Sequence, residues 1–265
     1  MLGKLLKHEF RETSKLMLSM YLILTVITAV GAAMAGLGLL DHMGFFASIF
    51  MMIYVLSVFS LFLLTAAYLA IRFYKTVFAG RGYLTHTLPV SPSATLNAKV
   101  LTSLAWLCLS FLMCILSFLT MSLSASGPPN AISLDLFQQE MSTVFGMSFA
   151  ASICLLSGLF VSFCFHMSLM VFASLSIGQL FQQYRIPAAI GAGIAFYVIQ
   201  QIIFAGTLLA SGIDLMENMD TATHAAEISG FVQKVTFLSG LEMLLFGAAY
   251  YVICLFITKK RLNLE

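Results

Sequence analysis

Apolar residues fill long uninterrupted runs of this chain, and polar positions are concentrated in the connections between them. A helix needs about 20 consecutive apolar residues to cross a bilayer. Runs of that length predict spans over residues 16–40, 45–71, 100–123, 144–177, 187–211 and 237–258. The breaks carry turn chemistry: Asp41-His42 after the first span, and Gly127-Pro128-Pro129-Asn130 within the connection Ser124–Thr143. The charge-free run Met141–Tyr184 is too long for one simple crossing and barely long enough for two. Two crossings would carry Lys259-Lys260-Arg261 to the opposite side, so one long helix over 144–177 is expected. Pro187 opens the fifth span, where its missing N–H does no harm. Gly212–Thr236 reads as an acidic outer segment.

Two polar stretches have a texture of their own. Over residues 1–14, Leu2, Leu5, Leu6 and Phe10 share one helical face while Lys4, Lys7, His8 and Arg11 point elsewhere. That pattern predicts an amphipathic elbow helix lying in the cytoplasmic interface. Residues 72–99 mix charges, glycines and prolines with aromatics, and include an arginine bracketed by Gly80 and Gly82. A structured cytoplasmic element of this kind suits docking to a soluble partner.

Charge sets the direction of the crossings. Of the thirteen Lys and Arg residues, all but Lys234 lie in Lys4–Lys15, Arg72–Lys99, at Arg185, or in Lys259–Arg261. Asp41, Asp135, Glu140, Asp214, Glu217, Asp220 and Glu227 occupy the alternate connections. Cytoplasmic loops carry the Lys/Arg excess, so the pattern predicts an all-α membrane protein with six spans and both termini cytoplasmic. At 60% hydrophobic and 9% charged, the chain is far from soluble domains, where charged residues run at about 25%. The net charge of +2 is spread over separate juxtamembrane clusters, which argues against nucleic acid as a partner. The five cysteines fall within apolar runs without a CxxC pair and read as small hydrophobes. The first apolar run is too long for a signal-peptide core, so no cleaved leader is expected.

Several chemistries are argued down by absence. There is no GxxxxGK[ST] loop and no GxSxG; after His8-Glu9 the second histidine of an HExxH motif is replaced by Glu12. The central spans largely lack the charged residues that ion-coupled carriers and voltage sensors hold at mid-membrane. The exceptions are few. Glu242 is placed about one turn into the sixth span, where it either snorkels to the interface or serves substrate passage. His166, near the middle of the fourth span, is either a packing histidine or a proton relay. Gln200 and Gln201 can bond across helices or line a path. An intramembrane enzyme would have only His166 and Glu242 as acid–base groups, and their different expected depths count against a shared site. Ala29, Ala32, Ala33 and Gly36 give small-residue spacing in the first span. Arg72 and Lys99, near the membrane, are expected to tolerate exchange for Lys and Arg.

The connection between the second and third spans runs Phe73-Tyr74-Lys75-Thr76-Val77-Phe78-Ala79-Gly80-Arg81-Gly82-Tyr83-Leu84-Thr85-His86-Thr87-Leu88-Pro89-Val90. It resembles the corresponding loop of exporter-type (type-two) ABC transporter permeases of Gram-positive bacteria, and the opening Met1–Phe10 is similar to their start. The resemblance implies a permease dimer, homomeric or heteromeric, in the bacterial plasma membrane, bound to separate ATPase subunits that carry the ATP and Mg; this chain itself would need no cofactor and would not be an enzyme. It implies a coupling helix within residues 72–99, with Phe73, Tyr74, Lys75, Arg81, Gly82, Tyr83, Leu84, Leu88 and Pro89 toward the ATPase. It also makes Gly212–Thr236 a candidate re-entrant segment. A non-transporting scaffold or immunity protein is the alternative.

Overall fold

The computed structural model describes residues 2–39, 44–78, 91–125, 134–181, 183–217 and 224–260. Every regular element among them is an α-helix: α1 (Leu2–Gly36), α2 (Phe45–Val77), α3 (Pro92–Ala125), α4 (Leu134–Phe145), α5 (Phe149–Gly178), α6 (Arg185–Glu217) and α7 (His224–Lys260). Six of them are long and apolar enough to cross a membrane; α4, with 12 residues, is not. The chain is an all-helical, multi-pass membrane protein. Its outer surface agrees, because large apolar side chains such as Leu22, Phe59, Ile202 and Leu245 stand fully outward. Water penalises such continuous apolar surface and lipid does not.

The helices outrun the expected spans, and the reasons are local. Residues 2–14 are the opening turns of α1, not a separate elbow. No glycine or proline interrupts the sequence between Gly3 and Gly31. Thr13 donates its hydroxyl to Glu9 O at 2.8 Å and Ser14 to Arg11 O at 3.0 Å, so neither caps a new helix. The connection expected over 72–99 is trimmed at both ends: α2 continues to Val77, and α3 starts at Pro92. Pro92 suits the first helical position, and Ser91 Oγ accepts the N–H of Ala94 at 3.4 Å as an N-cap.

The single crossing expected over 144–177 is α5, which starts later, at Phe149, while the short α4 forms mostly within the expected outer connection Ser124–Thr143. Gly146 adopts φ +62°, a left-handed conformation that ends α4, and α5 restarts at Phe149 after an extended Ser148. Much of the expected outer segment 212–236 is helical, because α6 runs on to Glu217 and α7 begins at His224. The residues between, 218–223, lie outside the described residues.

The chain divides into two compact units. The first holds α1, α2 through Phe73, and α3; the second holds Tyr74–Thr87 with α4, α5, α6 and α7.

In the first unit, Thr13, Met17, Tyr21, Leu24 and Thr28 form the buried stripe of α1, at the three- and four-residue spacing of one helical face. Serines of α3 join it to both neighbours. Ser110 Oγ lies 2.9 Å from Tyr21 OH of α1 and 3.0 Å from Thr65 Oγ1 of α2. Ser117 Oγ repeats the pattern with Thr28 Oγ1 at 2.6 Å and Tyr54 OH at 3.0 Å. The order of these pairs makes α1 and α3 parallel and α2 antiparallel to both, as successive crossings require.

In the second unit, α5 and α7 run parallel, paired from Ser176 and Cys254 (3.3 Å) to Phe165 and Gly247. A Cβ on Gly247 would come within 2.9 Å of the Phe165 ring, so glycine there lets the two helices close together. Antiparallel α6 packs beside them, with Phe196 and Tyr250 ring centroids 4.6 Å apart.

Candidate functional site

The residues expected to meet a soluble partner fall into two groups. Phe73, Tyr74 and Lys75 lie on the last turns of α2, with Phe73 buried and Lys75 exposed. Arg81, Gly82, Tyr83, Leu84, Leu88 and Pro89 lie outside the described residues.

Beside them in sequence, the first unit holds a charged clasp that sequence reasoning missed. Arg72 of α2 donates to Glu9 Oε2 of α1 through Nε at 3.0 Å and Nη2 at 2.8 Å, and its Nη2 also reaches Glu12 Oε2 at 2.6 Å. Lys99 of α3 donates to Glu9 Oε1 at 2.8 Å. Lys99 is only 6% exposed, and an uncompensated charge so placed would be costly. Glu9 and Glu12 balance the two cations, which makes the clasp neutral as a whole. The signal lay in the sequence: two acids three residues apart within an otherwise basic opening segment. What the sequence did not supply was the register that brings Arg72 and Lys99 to them.

The second unit brings together the four polar residues that the sequence marked as path or packing candidates. His166, Gln200, Gln201 and Glu242 line one cavity of about 210 Å³ between α5, α6 and α7. His166 and Glu242 share this cavity although they are not level: Gly247 is the residue of α7 beside His166, and Glu242 lies five residues, about 7–8 Å, further along α7. Because α7 begins at His224, Glu242 sits midway along it and not one turn from its start. The helix N-terminus expected beside Glu242 is therefore not there. Phe163, Met167 and Met170 of α5, Tyr197 and Phe204 of α6, and Ser239 and Met243 of α7 complete the lining.

The polar groups in this cavity are unevenly satisfied. Gln201 Nε2 donates to Tyr197 OH at 2.8 Å. The His166 ring packs against Phe246 and Tyr250, at centroid distances of 6.5 and 5.4 Å. His166 is 2% exposed and its Nδ1 has no hydrogen-bond partner; the hydroxyl of buried Tyr250 has none either. Both carboxyl oxygens of Glu242 are shielded from solvent and unpartnered. Thr207 of α6 faces that carboxyl, but its hydroxyl proton is directed to Ile203 O and Phe204 O, each at 2.9 Å. Native proteins leave few buried polar groups unpaired, and each that is left calls for a physical explanation, such as a water, an ion or a functional role.

Chemically the cavity offers one acid, one imidazole, two amides and an apolar aromatic wall. Ser239 is no activated nucleophile, since its hydroxyl donates to Thr236 O at 2.9 Å. Among the described residues no group of three or more His, Cys, Asp and Glu side chains gathers as a metal ion would need. A second cavity, about 310 Å³, lies between α1 and α3 in the first unit and is lined by Ala29 and Ala32 of the small-residue stripe together with Met113, Leu116 and Ser117. No protein-family model matches the chain, and neither does any curated protein or solved structure.

Proposed function

We propose that this chain is the permease subunit of an ATP-driven exporter in a bacterial plasma membrane, with both termini cytoplasmic and residues 72–99 coupling it to separate ATP-binding subunits. The observation that carries this reading is the length of α2 and α3, of 33 and 34 residues. At 1.5 Å per residue each is about 50 Å long, against about 30 Å for the hydrocarbon core. Both have charged residues near the ends joined by 78–91: Arg72 and Lys75 on α2, Lys99 on α3. Helices longer than the hydrocarbon core requires support a reading in which the connection between them stands in the cytoplasm, as a docking element for a soluble motor must. The resemblance of that connection to ABC permease loops points the same way. Two permease subunits, alike or different, would assemble with two ATPases.

The test is purification of the tagged chain from its native membrane. A stoichiometric ABC ATPase, with hydrolysis stimulated by substrate, supports the reading. Arg81→Glu or Tyr83→Ala should weaken that association, or uncouple hydrolysis from transport, without affecting membrane insertion. A chain that assembles with no ATPase overturns it; one that binds an ATPase without stimulated hydrolysis is a scaffold. The intramembrane-enzyme reading gains one observation, the shared cavity of His166 and Glu242. It is disfavoured because Ser239 is engaged with its own helix.

A further inference from the structure

We propose that the cavity between α5, α6 and α7 binds the ammonium head of a lipophilic organic cation. The inference concerns binding alone and stands whether or not an ATPase drives the chain. Glu242 supplies the charge, with two carboxyl oxygens shielded from solvent and unpartnered. No lysine or arginine is among the residues that line the cavity, and His166 is the one basic side chain there, so the lining holds no permanent cation to neutralise that carboxylate. A carboxylate at mid-helix in a membrane span costs about 2.5–3.5 kcal/mol on insertion scales, and a bound cation supplies the missing partner.

The walls suit the same ligand. Phe163, Tyr197 and Phe204 bring aromatic rings to the wall, and a ring face attracts a positive charge. Gln200 and Gln201 carry amide oxygens that accept from an N–H or face a quaternary centre. The methionines at 167, 170 and 243 give a soft lining that adapts to shape.

Size restricts what enters. At about 210 Å³ the cavity falls below the roughly 300–1,000 Å³ of sites that enclose a drug-sized molecule. It holds a head of about one ring and leaves the apolar body outside. Tyr197 and Gln201 are both exposed, so the lining reaches the outer surface of the unit. A free cationic amphiphile and an aminolipid both present such a head, with the same ammonium chemistry.

The probe is radiolabelled benzyltrimethylammonium, measured by equilibrium dialysis against the full chain in phosphatidylglycerol nanodiscs. Saturable binding is expected, with neopentylbenzene, its neutral isostere, failing to displace it. Glu242→Gln should weaken binding at least about tenfold. Adding phosphatidylethanolamine to the discs separates the two sources. Reduced probe binding identifies an aminolipid as the occupant, unchanged binding identifies a free cation, and either result supports an ammonium site. The proposal is overturned if the neutral isostere competes as well as unlabelled cation, or if no saturable binding occurs in phosphatidylglycerol. Both readings use the unaltered chain, so they hold even if the variant fails to fold. Equal affinity in a monodisperse Glu242→Gln protein also overturns it.

Discussion

Lys99 places its ammonium 2.8 Å from Oε1 of Glu9, ninety positions earlier in the chain. The same carboxylate takes two hydrogen bonds from Arg72 through its other oxygen. One acidic residue of α1 therefore ties α2 and α3 at the end where the charged clasp lies. Below the clasp, Trp106 Nε1 donates to Thr13 Oγ1 at 2.8 Å, and the serine pairs at 110 and 117 follow. The first unit is held by a column of polar contacts in an apolar surround, where each interhelical hydrogen bond is worth about 0.6 kcal/mol and at most about 1.7.

Glu9→Gln should accordingly be among the most damaging single changes in the first unit. It leaves buried Lys99 and half-buried Arg72 short of a counter-charge, and breaking a buried pair typically costs about 3–5 kcal/mol. The double change Glu9→Gln, Lys99→Met should recover part of that loss, since it removes the stranded charge. Thermal unfolding in detergent reads both. The expectation that Arg72→Lys is harmless gives way as well. Arg72 reaches Glu9 and Glu12 together through a planar fork that a lysine cannot reproduce.

Trp106 is the sole tryptophan of the chain, and its place between Phe10 and Tyr21 of α1 makes it a natural reporter. Thr13→Val removes the acceptor of the indole N–H and should lower stability by about 1 kcal/mol. Intrinsic fluorescence should show the emission moving to longer wavelength as α1 leaves α3. Loss of that shift during unfolding of the unaltered protein would count against the pairing.

The crossings were legible because apolar run length alone reports them. The bounds were not, because polar residues such as Glu9, Arg72 and Lys99 can extend a helix beyond the lipid when other helices satisfy them. Gly146 illustrates a second limit: a glycine in an apolar run is silent until its neighbours impose a positive φ. Glu242 illustrates a third. Its residue type marked it as a candidate, but its place along the helix depended on where α7 began, and residues 224–236 have the polarity of a loop. His166, Gln200 and Gln201 were each legible as polar residues in apolar spans; their convergence with Glu242 is a tertiary fact.

Two glycines of α5 give an internally controlled packing test. A Cβ on Gly178 would lie 2.6 Å from Arg185 O and 2.6 Å from Ala189 Cβ, a clash with backbone that no side-chain rotation relieves. Gly158 has nothing within 4 Å of its would-be Cβ. Gly178→Ala should therefore destabilise the second unit by about 1–3 kcal/mol. Gly158→Ala should be neutral, or stabilising by up to about 1 kcal/mol through helix propensity. Equal melting shifts for the two variants would mean that α5 and α6 do not approach as described.

The direction of the crossings is open to direct labelling. Within the first unit, Glu9, Arg72 and Lys99 share one end of the helices. Within the second, Gly178 meets Ala189 near the start of α6, and Cys254, close to the basic tail, pairs with Ser176 at the same end of α5. Each unit thus gathers most of its Lys and Arg at one end, and the positive-inside rule predicts that both ends face the cytoplasm. The five free cysteines must first be replaced, with alanine at buried Cys164 and Cys254. In that background Ser124→Cys and Gly212→Cys should react with an impermeant maleimide added outside intact cells. Arg81→Cys and Ser91→Cys should react only after permeabilisation. Outside labelling of Arg81→Cys would place residues 79–90 beyond the reach of any cytoplasmic ATPase, and would remove the proposed coupling along with the topology.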